Sequence, residues 1–132
     1  MDRLRTERLL RELYAARVRG DLDDVCRTFS RDAKFRISGA SHGGPVHIAA
    51  VGIGEIRQWM SLLIQSFDLT EYNIQSIVID YAKAAVHWGT NVHSRITGTR
   101  VSTELIDLVE IRQAHIVSYT EFFVSYPPPC GV

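Results

Sequence analysis

The sequence predicts an α+β fold, with helices in the N-terminal half and an antiparallel sheet in the C-terminal half. Apolar residues recur every three or four positions in much of the first half, and at every second position from about residue 70 onward. Short turns separate the segments of the second kind, and such turns join antiparallel strands. Helices followed by a run of strands are typical of this class, and 132 residues fit one domain, placed at residues 1–132.

The first two helices are predicted from apolar spacing and from capping residues. The apolar stripe of the first helix comprises Leu9, Leu10, Leu13, Tyr14 and Val18. Asp2 or Thr6 can cap its start, and Gly20 can end it. Asp21 then caps a second, short helix. The stripe of that helix comprises Leu22, Val25, Cys26 and Phe29.

Two short strands, a loop and a third helix are predicted before residue 68. The strands are Ala33 to Ile37 and Val46 to Val51. Residues 38–45 are mostly small, which favours a mobile loop between the strands. Gly52 or Gly54 leads into the third helix. Its broad apolar face comprises Ile53, Ile56, Trp59, Met60, Leu63, Ile64 and Phe67, and it needs cover on one side.

Four strands of period two complete the chain. They span about residues 70–80, 83–96, 100–111 and 115–124. The turns between them are predicted at Asp80 to Lys83, at Thr97-Gly98 and at Gln113-Ala114. Ile106 and Leu108 are opposite in parity to Leu105 and Val109, so both faces of the sheet are partly apolar. We therefore expect a second copy to cover the open face, as a homodimer.

Composition excludes several classes of partner and location. The fifteen basic and fifteen acidic residues cancel, so no basic surface is predicted for nucleic acid or for an anionic membrane. No apolar run is long enough to cross a bilayer, and the charged N-terminus lacks a secretory apolar segment. We expect a cytoplasmic protein. Cys26 and Cys130 predict one buried thiol and one thiol in a proline-rich tail rather than a disulfide or a metal site.

Three segments carry a resemblance to a known family. They are GDLDDVCRTFSRDAKF at residues 20–35, GEIR at residues 54–57 and VEIRQAHIVSYTEFF at residues 109–123. These segments resemble motifs of SnoaL-like and ketosteroid-isomerase-like proteins, of the NTF2-like superfamily. The resemblance implies a cone-shaped, strongly curved antiparallel sheet packed on three N-terminal-half helices, also called cystatin-like. That fold hosts isomerases, dehydratases, cyclases, epoxide hydrolases and non-catalytic modules, so activity must be argued from the site.

Asp107 is the most informative candidate residue. A two-residue turn at Thr97-Gly98 sets Trp88 opposite Asp107, whereas a three-residue turn sets His87 near that level. We prefer the first register because it gathers the apolar residues on one face. Asp107 then interrupts an apolar strand face between Leu105 and Val109, where burial raises the pKa of a carboxyl group. A protonated carboxyl can donate a hydrogen bond or a proton to a substrate oxygen.

The resemblance adds expectations about the site. It implies that Asp107 matches the oxyanion-hole aspartic acid of the ketosteroid isomerases, and that Tyr14 matches their tyrosine. The family's carboxylate base belongs near Ile37, where this chain has only apolar Ile37 and then Ser38. Epoxide hydrolases of the family carry an arginine where Leu105 stands. Both departures argue against those two chemistries in their usual form.

The remaining candidates are wall residues and histidines. A ligand pocket is predicted to be lined by Trp59, Trp88, Leu63, Leu105, Val109 and Phe35. The two tryptophans are expected to face each other, either as core packing or as an aromatic wall. No metal site is predicted from the histidines, which are His42 and His47 beside the loop, His87 and His93 on the opposite sheet face, and His115 in an exposed position. Which parity of the last strand faces the pocket stays open, and so does a second acid at Glu121.

Two functions follow as expectations. The first is a proton-transfer enzyme that isomerises, cyclises or dehydrates an apolar carbonyl or cyclic compound, with Asp107 as acid or base and Tyr14 as a hydrogen-bond donor. No organic cofactor is expected, because neither Gly43-Gly44 nor the Gly52 to Gly54 segment stands in a phosphate-binding context. The alternative is a non-catalytic module that binds a small apolar ligand or forms dimers.

Overall fold

The computed structural model describes residues 2–41 and 44–125. Three helices and six strands follow one another in the order α1 (Arg3–Arg19), α2 (Leu22–Arg27), β1 (Phe29–Ser41), β2 (Gly44–Val51), α3 (Ile53–Ser66), β3 (Phe67–Asp80), β4 (Lys83–Ser94), β5 (Arg100–Arg112) and β6 (His115–Ser125). The predicted α+β class is confirmed. Of the positions discussed above, His42, Gly43, Cys130 and the proline-rich tail lie outside the described residues.

The strands form one curved sheet in the order β2-β1-β6-β5-β4-β3. Strands β3 to β6 are joined in sequence as an antiparallel meander. The first and last strands, β1 and β6, lie side by side and run parallel. This pairing places the N-terminal hairpin next to the C-terminal strand, so the sheet is continuous from β2 to β3.

Local sequence explains where the first two helices begin and end. The Asp2 side chain accepts a hydrogen bond from the Arg5 N–H at 2.9 Å and caps α1, and Gly20 ends it with a φ of 74°. Asp21 caps α2 by accepting from the Asp24 N–H at 3.1 Å. The cap of α1 is therefore Asp2 and not Thr6, which is buried.

The predicted loop at residues 38–45 is wrong for most of its length. Its described residues belong to a hairpin, because β1 continues to Ser41 and β2 begins at Gly44, with Ser38 opposite His47. Small residues have low strand propensity on their own, but pairing with a neighbouring strand satisfies their backbone groups and overrides that preference.

The predicted register between β4 and β5 is also wrong, by two residues. The chain turns through residues 95–99 instead of a two-residue turn, and Asp107 pairs with Val86 rather than with Trp88. A shift of two residues leaves each side chain on its predicted face, since strand side chains alternate with a period of two. Asp107 therefore still points to the apolar inner face, as predicted.

The core lies between the helices and the inner face of the sheet. Leu10, Leu13 and Tyr14 of α1 and Ile56 and Met60 of α3 are buried against it. The buried side chains of the sheet include Phe35, Ile37, Val86, Trp88, Leu105, Val109, Ile116 and Tyr119. Three of the largest buried side chains, Trp88, Tyr14 and Tyr119, contact Asp107.

The outer face of the sheet carries exposed apolar side chains. Ile106 is 46% exposed, Leu108 48%, Phe122 42% and Val124 59%. Ile106 and Phe122 are opposite each other on β5 and β6, so the group is continuous across two strands. In the part of the chain that the structure describes, no helix combines the length and the apolar character that a membrane crossing requires.

Gly39 is expected to be essential for the pairing of β1 with β6. A Cβ atom at this position would lie 2.5 Å from two ring carbons of Phe123 and 2.7 Å from the Phe123 carbonyl oxygen. We predict that Gly39→Ala lowers the free energy of unfolding by about 1–3 kcal/mol, because a backbone atom must move. Urea denaturation measures this loss.

Gly54→Ala is the matched control, since a Cβ atom at Gly54 meets no atom within 4 Å. It lies in the first turn of α3, where alanine is the better helix former and raises stability by up to about 1 kcal/mol. Equal stability changes in the two variants would contradict the close approach at Gly39.

Candidate functional site

Asp107 accepts three hydrogen bonds on one carboxyl oxygen. Tyr14 Oη donates to Asp107 Oδ2 at 2.5 Å, and Trp88 Nε1 donates to the same atom at 2.8 Å. Tyr119 Oη also donates to it. The three donors come from α1, β4 and β6, so a single oxygen connects the helix layer to two strands. Three donors around one oxygen match the needs of a carboxylate better than those of a neutral acid.

The other oxygen of Asp107 has no partner. Among the described residues, Oδ1 is the one fully buried side-chain oxygen or nitrogen without a hydrogen bond. An unsatisfied buried polar atom is costly, and such atoms are rare enough in native proteins to require an explanation. A proton on Oδ1 leaves Oδ2 free to accept its three bonds, and it makes Oδ1 a donor for a bound molecule.

Burial favours this protonated form. Removal of Asp107 from water, followed by the negative charge of Glu121, raises the pKa of Asp107 to about 8. The hydrogen bonds from Tyr119 and Tyr14 and the charge of Arg17 act in the opposite direction. The desolvation effect outweighs them, so Asp107 is neutral at pH 7.

An ion pair lies next to Asp107. Arg17 Nη1 donates to Glu121 Oε1 at 2.5 Å, and the two side chains are 9% and 5% exposed. Glu121 is directly opposite Asp107 in the pairing of β5 and β6. The Arg17 guanidinium carbon also lies 5.5 Å from the centre of the Trp88 ring, within the range of a cation–π contact.

The charges of this cluster balance when Asp107 is protonated. Burial lowers the pKa of Arg17, and the carboxylate of Glu121 more than offsets that effect, so Arg17 stays charged. Burial and the neighbouring Asp107 raise the pKa of both Tyr14 and Tyr119, which keeps both hydroxyls neutral. The positive Arg17 and the negative Glu121 then cancel, and a second ionised carboxyl would leave an uncompensated charge.

The predicted wall residues divide into two groups. Trp88, Phe35, Leu105 and Val109 are buried on the inner face, and Leu63 is half-buried against the same core. Trp59 is 37% exposed, and the ring that packs on Trp88 is that of Tyr14, at 4.8 Å. The two tryptophans are therefore not placed against each other. The reason is that α3 turns Ile56 and Met60 to the core, which leaves Trp59 at the margin of its apolar face.

The four histidines among the described residues form no contact with Asp107. His87 Nε2 is 2.8 Å from Glu104 Oε1 on the outer sheet face, and His93 Nδ1 is 3.6 Å from Asp68. His47 and His115 are exposed. Within residues 2–41 and 44–125, no three His, Cys, Asp or Glu side chains are grouped as metal ligands would be.

Two surface concavities lie elsewhere. One, of about 690 Å³, is at the sheet end where the β3–β4 and β5–β6 turns meet the start of α1, and Thr6, Tyr81 and His115 line part of it. The other, of about 520 Å³, lies beside Arg19 and Arg57. Asp107 lines neither, so a ligand can reach its Oδ1 only if the surrounding side chains move.

Arg17 and Tyr119 are site residues that sequence reasoning did not assign, and Glu121 is a second acid that it left open. The two-residue turn Gln113-Ala114 alone would pair Asp107 with Thr120. A β-bulge between Glu110 and Ile111 shifts the register by one residue, so Glu121 is opposite Asp107 instead. The same shift turns Tyr119 inward. The sequence signal for Tyr119 and Glu121 is their shared parity on β6, which places both side chains on one face. No sequence signal pointed to Arg17.

A family comparison matches the sequence of this chain to a known group. The family model described as SnoaL-like domain matches residues 10–119, which include Tyr14, Trp88, Asp107 and Tyr119. The chain belongs to the SnoaL-like domain family. The resemblance expected from the three sequence segments is confirmed.

Several solved structures share the fold of this SnoaL-like domain at low sequence identity, and no curated protein sequence matches it. A ketosteroid isomerase-like protein from Erwinia carotovora atroseptica SCRI1043 has a TM-score of 0.67 at 19% identity, covering 92% of this chain and 94% of its own. An NTF2-like protein from Burkholderia xenovorans LB400 has a TM-score of 0.72 at 13% identity, covering 93% and 92%. An LEH-like epoxide hydrolase from M. tuberculosis has a TM-score of 0.68 at 16% identity, covering 88% and 80%.

The protonated Asp107 predicts a specific pH dependence of stability for this SnoaL-like domain. An unfolded aspartic acid loses its proton near pH 4, whereas folded Asp107 keeps it to about pH 8. The folded state therefore binds more protons between these values. The contribution of Asp107 to the free energy of unfolding is therefore complete below about pH 4 and is lost by about pH 8. Between these values the free energy of unfolding falls by up to about 1.4 kcal/mol per pH unit.

Urea denaturation of the wild type and of Asp107→Asn at several pH values checks this. The free energy of unfolding of Asp107→Asn is expected not to fall with pH in this way. The difference between the wild type and the variant should therefore change between pH 5 and 8. A constant difference across this range would show that Asp107 ionises at its ordinary pKa in the folded protein.

Proposed function

We propose that this protein is a cofactor-independent proton-transfer enzyme that acts on an apolar carbonyl or cyclic compound. Asp107 Oδ1 carries the proposal, because it is a buried carboxyl oxygen without a partner in a group whose pKa is raised to about 8. A carboxyl that is neutral at pH 7 can donate its proton to a substrate oxygen, and such donors accelerate reactions by about 10²–10⁴-fold. Isomerisation, aldol cyclisation and dehydration all use this step.

The surroundings of Asp107 suit an apolar substrate. Leu105 and Val109 flank it along β5, and Phe35 and Trp88 are fully buried nearby on the same inner face. Tyr14 serves as the second donor, since its hydroxyl holds Oδ2 and stabilises the carboxylate that forms when Oδ1 gives up its proton. The reaction needs no organic cofactor, and we also propose a cytoplasmic location, which is compatible with the free thiol of Cys26.

The solved relatives support the general reaction class. One is named as ketosteroid isomerase-like and one as an LEH-like epoxide hydrolase, so the fold of this chain occurs in proteins named for chemistry on small molecules. By the resemblance, Ile37 stands near the position of the ketosteroid isomerase base, and Leu105 stands where the epoxide hydrolases have an arginine. We therefore assign the general reaction class and not either of those two reactions.

A non-catalytic binding module is the second candidate. The burial of Asp107 favours it, because Asp107 is 0% exposed and lines neither of the two described concavities. In that case the hydrogen bonds from Tyr14, Trp88 and Tyr119 serve to stabilise the fold. The two candidates differ in whether the protein moves protons on a bound compound.

A proton-exchange assay separates them. We predict that the wild type accelerates exchange of the α-hydrogens of 2-tetralone for deuterium in D₂O, as measured by proton NMR. Enolisation needs only one group that donates a proton to the carbonyl oxygen and one that accepts a proton from the α-carbon. Asp107→Asn should lower the rate by about 10²-fold or more, and Tyr14→Phe should lower it less.

Exposed side chains of the same types provide the controls. Asp80→Asn and Tyr81→Phe change an exposed carboxyl and an exposed phenol, and they should leave the rate unchanged. The enzyme proposal fails if the wild type does not exceed the buffer rate with 2-tetralone, 2-indanone and a larger fused-ring ketone. Saturable binding of these ketones without exchange would favour the binding module.

We also propose that the outer sheet face forms a homodimer. The exposed apolar residues Ile106, Leu108, Phe122 and Val124 lie together on adjacent strands, and burial between two copies would remove them from water. Sedimentation equilibrium should give the mass of two 14.9 kDa chains. Ile106→Glu should give one chain, since it places a charge in the centre of the contact.

Leu62→Glu is the control for the dimer, because Leu62 is 56% exposed on α3, the helix that packs on the inner side of the sheet. It should leave the dimer intact. A wild-type protein that sediments as one chain at every concentration, or an Ile106→Glu variant that still pairs, would refute the proposed interface.

A further inference from the structure

The proposed reaction needs a group that accepts a proton from carbon, and the structure offers one at Glu121. This side chain is opposite Asp107 on the neighbouring strand, and both point to the inner face. Directly opposed residues of an antiparallel pair have Cβ atoms about 4.5–5.5 Å apart. One molecule that enters when the surrounding side chains move can therefore contact both carboxyl groups. No acid on β1 is needed for this arrangement.

The two oxygens of Glu121 have different surroundings. Oε1 accepts from Arg17 Nη1 at 2.5 Å and is 3.4 Å from Tyr119 Oη. Oε2 accepts no hydrogen bond from any described residue. Oε2 is also not fully buried, because Asp107 Oδ1 is the one fully buried side-chain oxygen or nitrogen without a hydrogen bond among the described residues. Glu121 therefore presents a free, slightly accessible oxygen while Arg17 compensates its charge.

We infer that Glu121 is the proton acceptor of this site, working with Asp107 as the proton donor on one bound ketone. The inference rests on the proposed function and names the class of compound, which is an apolar ketone with a hydrogen on the carbon next to the carbonyl. Glu121 Oε2 takes that hydrogen as a proton. The electrons of the broken C–H bond form the C=C bond, the carbonyl π electrons move to oxygen, and the oxygen takes the proton from Asp107 Oδ1.

The charges remain balanced through this step. Before it, Glu121 is the carboxylate, Asp107 is neutral and the ketone is neutral. After it, Glu121 is neutral, Asp107 is the carboxylate and the product is a neutral enol. The negative charge moves only from Glu121 to Asp107, and Arg17 remains near both, as its effects on the two groups show.

This transfer explains the three donors on Asp107 Oδ2. A resting neutral acid does not need three hydrogen bonds on one oxygen, but the carboxylate formed in the step does. Tyr14, Trp88 and Tyr119 already point at Oδ2 before the reaction, so they stabilise the developing charge without rearrangement. They therefore favour the enol state over the ketone state.

The exchange assay with 2-tetralone tests Glu121 separately from Asp107. Glu121→Gln is expected to lower the exchange rate by at least about 100-fold while saturable ketone binding, measured by saturation-transfer NMR, is retained. Glu121→Asp should recover part of the rate, because it restores a carboxylate. Glu110→Gln, which removes a carboxylate from the outer side of β5, should leave the rate unchanged.

Glu121→Gln leaves Arg17 buried without its partner, and this variant can fail to fold. The double variant Arg17→Met/Glu121→Gln removes both charges and is used if circular dichroism shows that the single variant is unfolded. It is also expected to lose exchange and keep ketone binding.

The outcomes separate the two claims. Exchange that is lost in Asp107→Asn but retained in folded Glu121→Gln, or in the double variant, overturns the role of Glu121 and leaves the proposed function standing. A wild type without exchange overturns both. Loss of exchange in both variants, with binding retained and partial recovery in Glu121→Asp, supports the donor–acceptor pair.

Discussion

A carboxyl group without exposed surface lies at the centre of this sheet, and the arrangement of the interior depends on how its two oxygens are satisfied. Asp107 Oδ2 receives donors from α1, β4 and β6, which orients Tyr14, Trp88 and Tyr119 toward one point. A hydrophobic residue at this position would leave Tyr14 and Trp88 without a partner for their donors, and Tyr119 with only its 3.4 Å contact to Glu121. Buried donors without partners cost about 1–3 kcal/mol each. The same carboxyl group leaves Oδ1 unpartnered. One oxygen of this side chain therefore joins three structural elements, and the proposed chemistry rests on the other oxygen.

The ion pair between Arg17 and Glu121 determines which carboxyl group keeps its proton. Two adjacent carboxyl groups in an apolar interior do not both ionise easily, because like charges at short range repel strongly where water is excluded. Arg17 bonds to Glu121 and lies farther from Asp107 in the hydrogen-bond network, so the negative charge rests on Glu121. Asp107 then remains neutral, as the effect of Glu121 on its pKa requires. Two groups of the same chemical type acquire opposite protonation states from their surroundings.

Sequence reasoning predicted the features that depend on local patterns. The capped helices and the period-two strands are such features, and so is the inner position of Asp107. The predicted position of Asp107 is correct although the predicted register is not, because a shift of two residues keeps each side chain on the same face. Features that depend on long-range pairing were missed. The β-bulge beside Glu110 decides which side chains of β6 face inward, a choice that the sequence left open, and it brings Glu121 to the inner face. Pairing with β6 extends β1 through the segment predicted as a loop. Neither a bulge nor a parallel partner 84 residues away leaves a clear mark in a single sequence.

Direct observation of the Asp107 carboxyl group tests the central claim most sharply. Carbon NMR of protein labelled at the aspartate carboxyl carbon, with Asp107→Asn to assign the signal, follows its protonation as the pH is changed. A neutral Asp107 at pH 7 whose signal titrates near pH 8 is the expected result. A signal that is already that of a carboxylate at pH 5 would mean that the three donors outweigh burial. It would leave no proton on Oδ1 for a substrate.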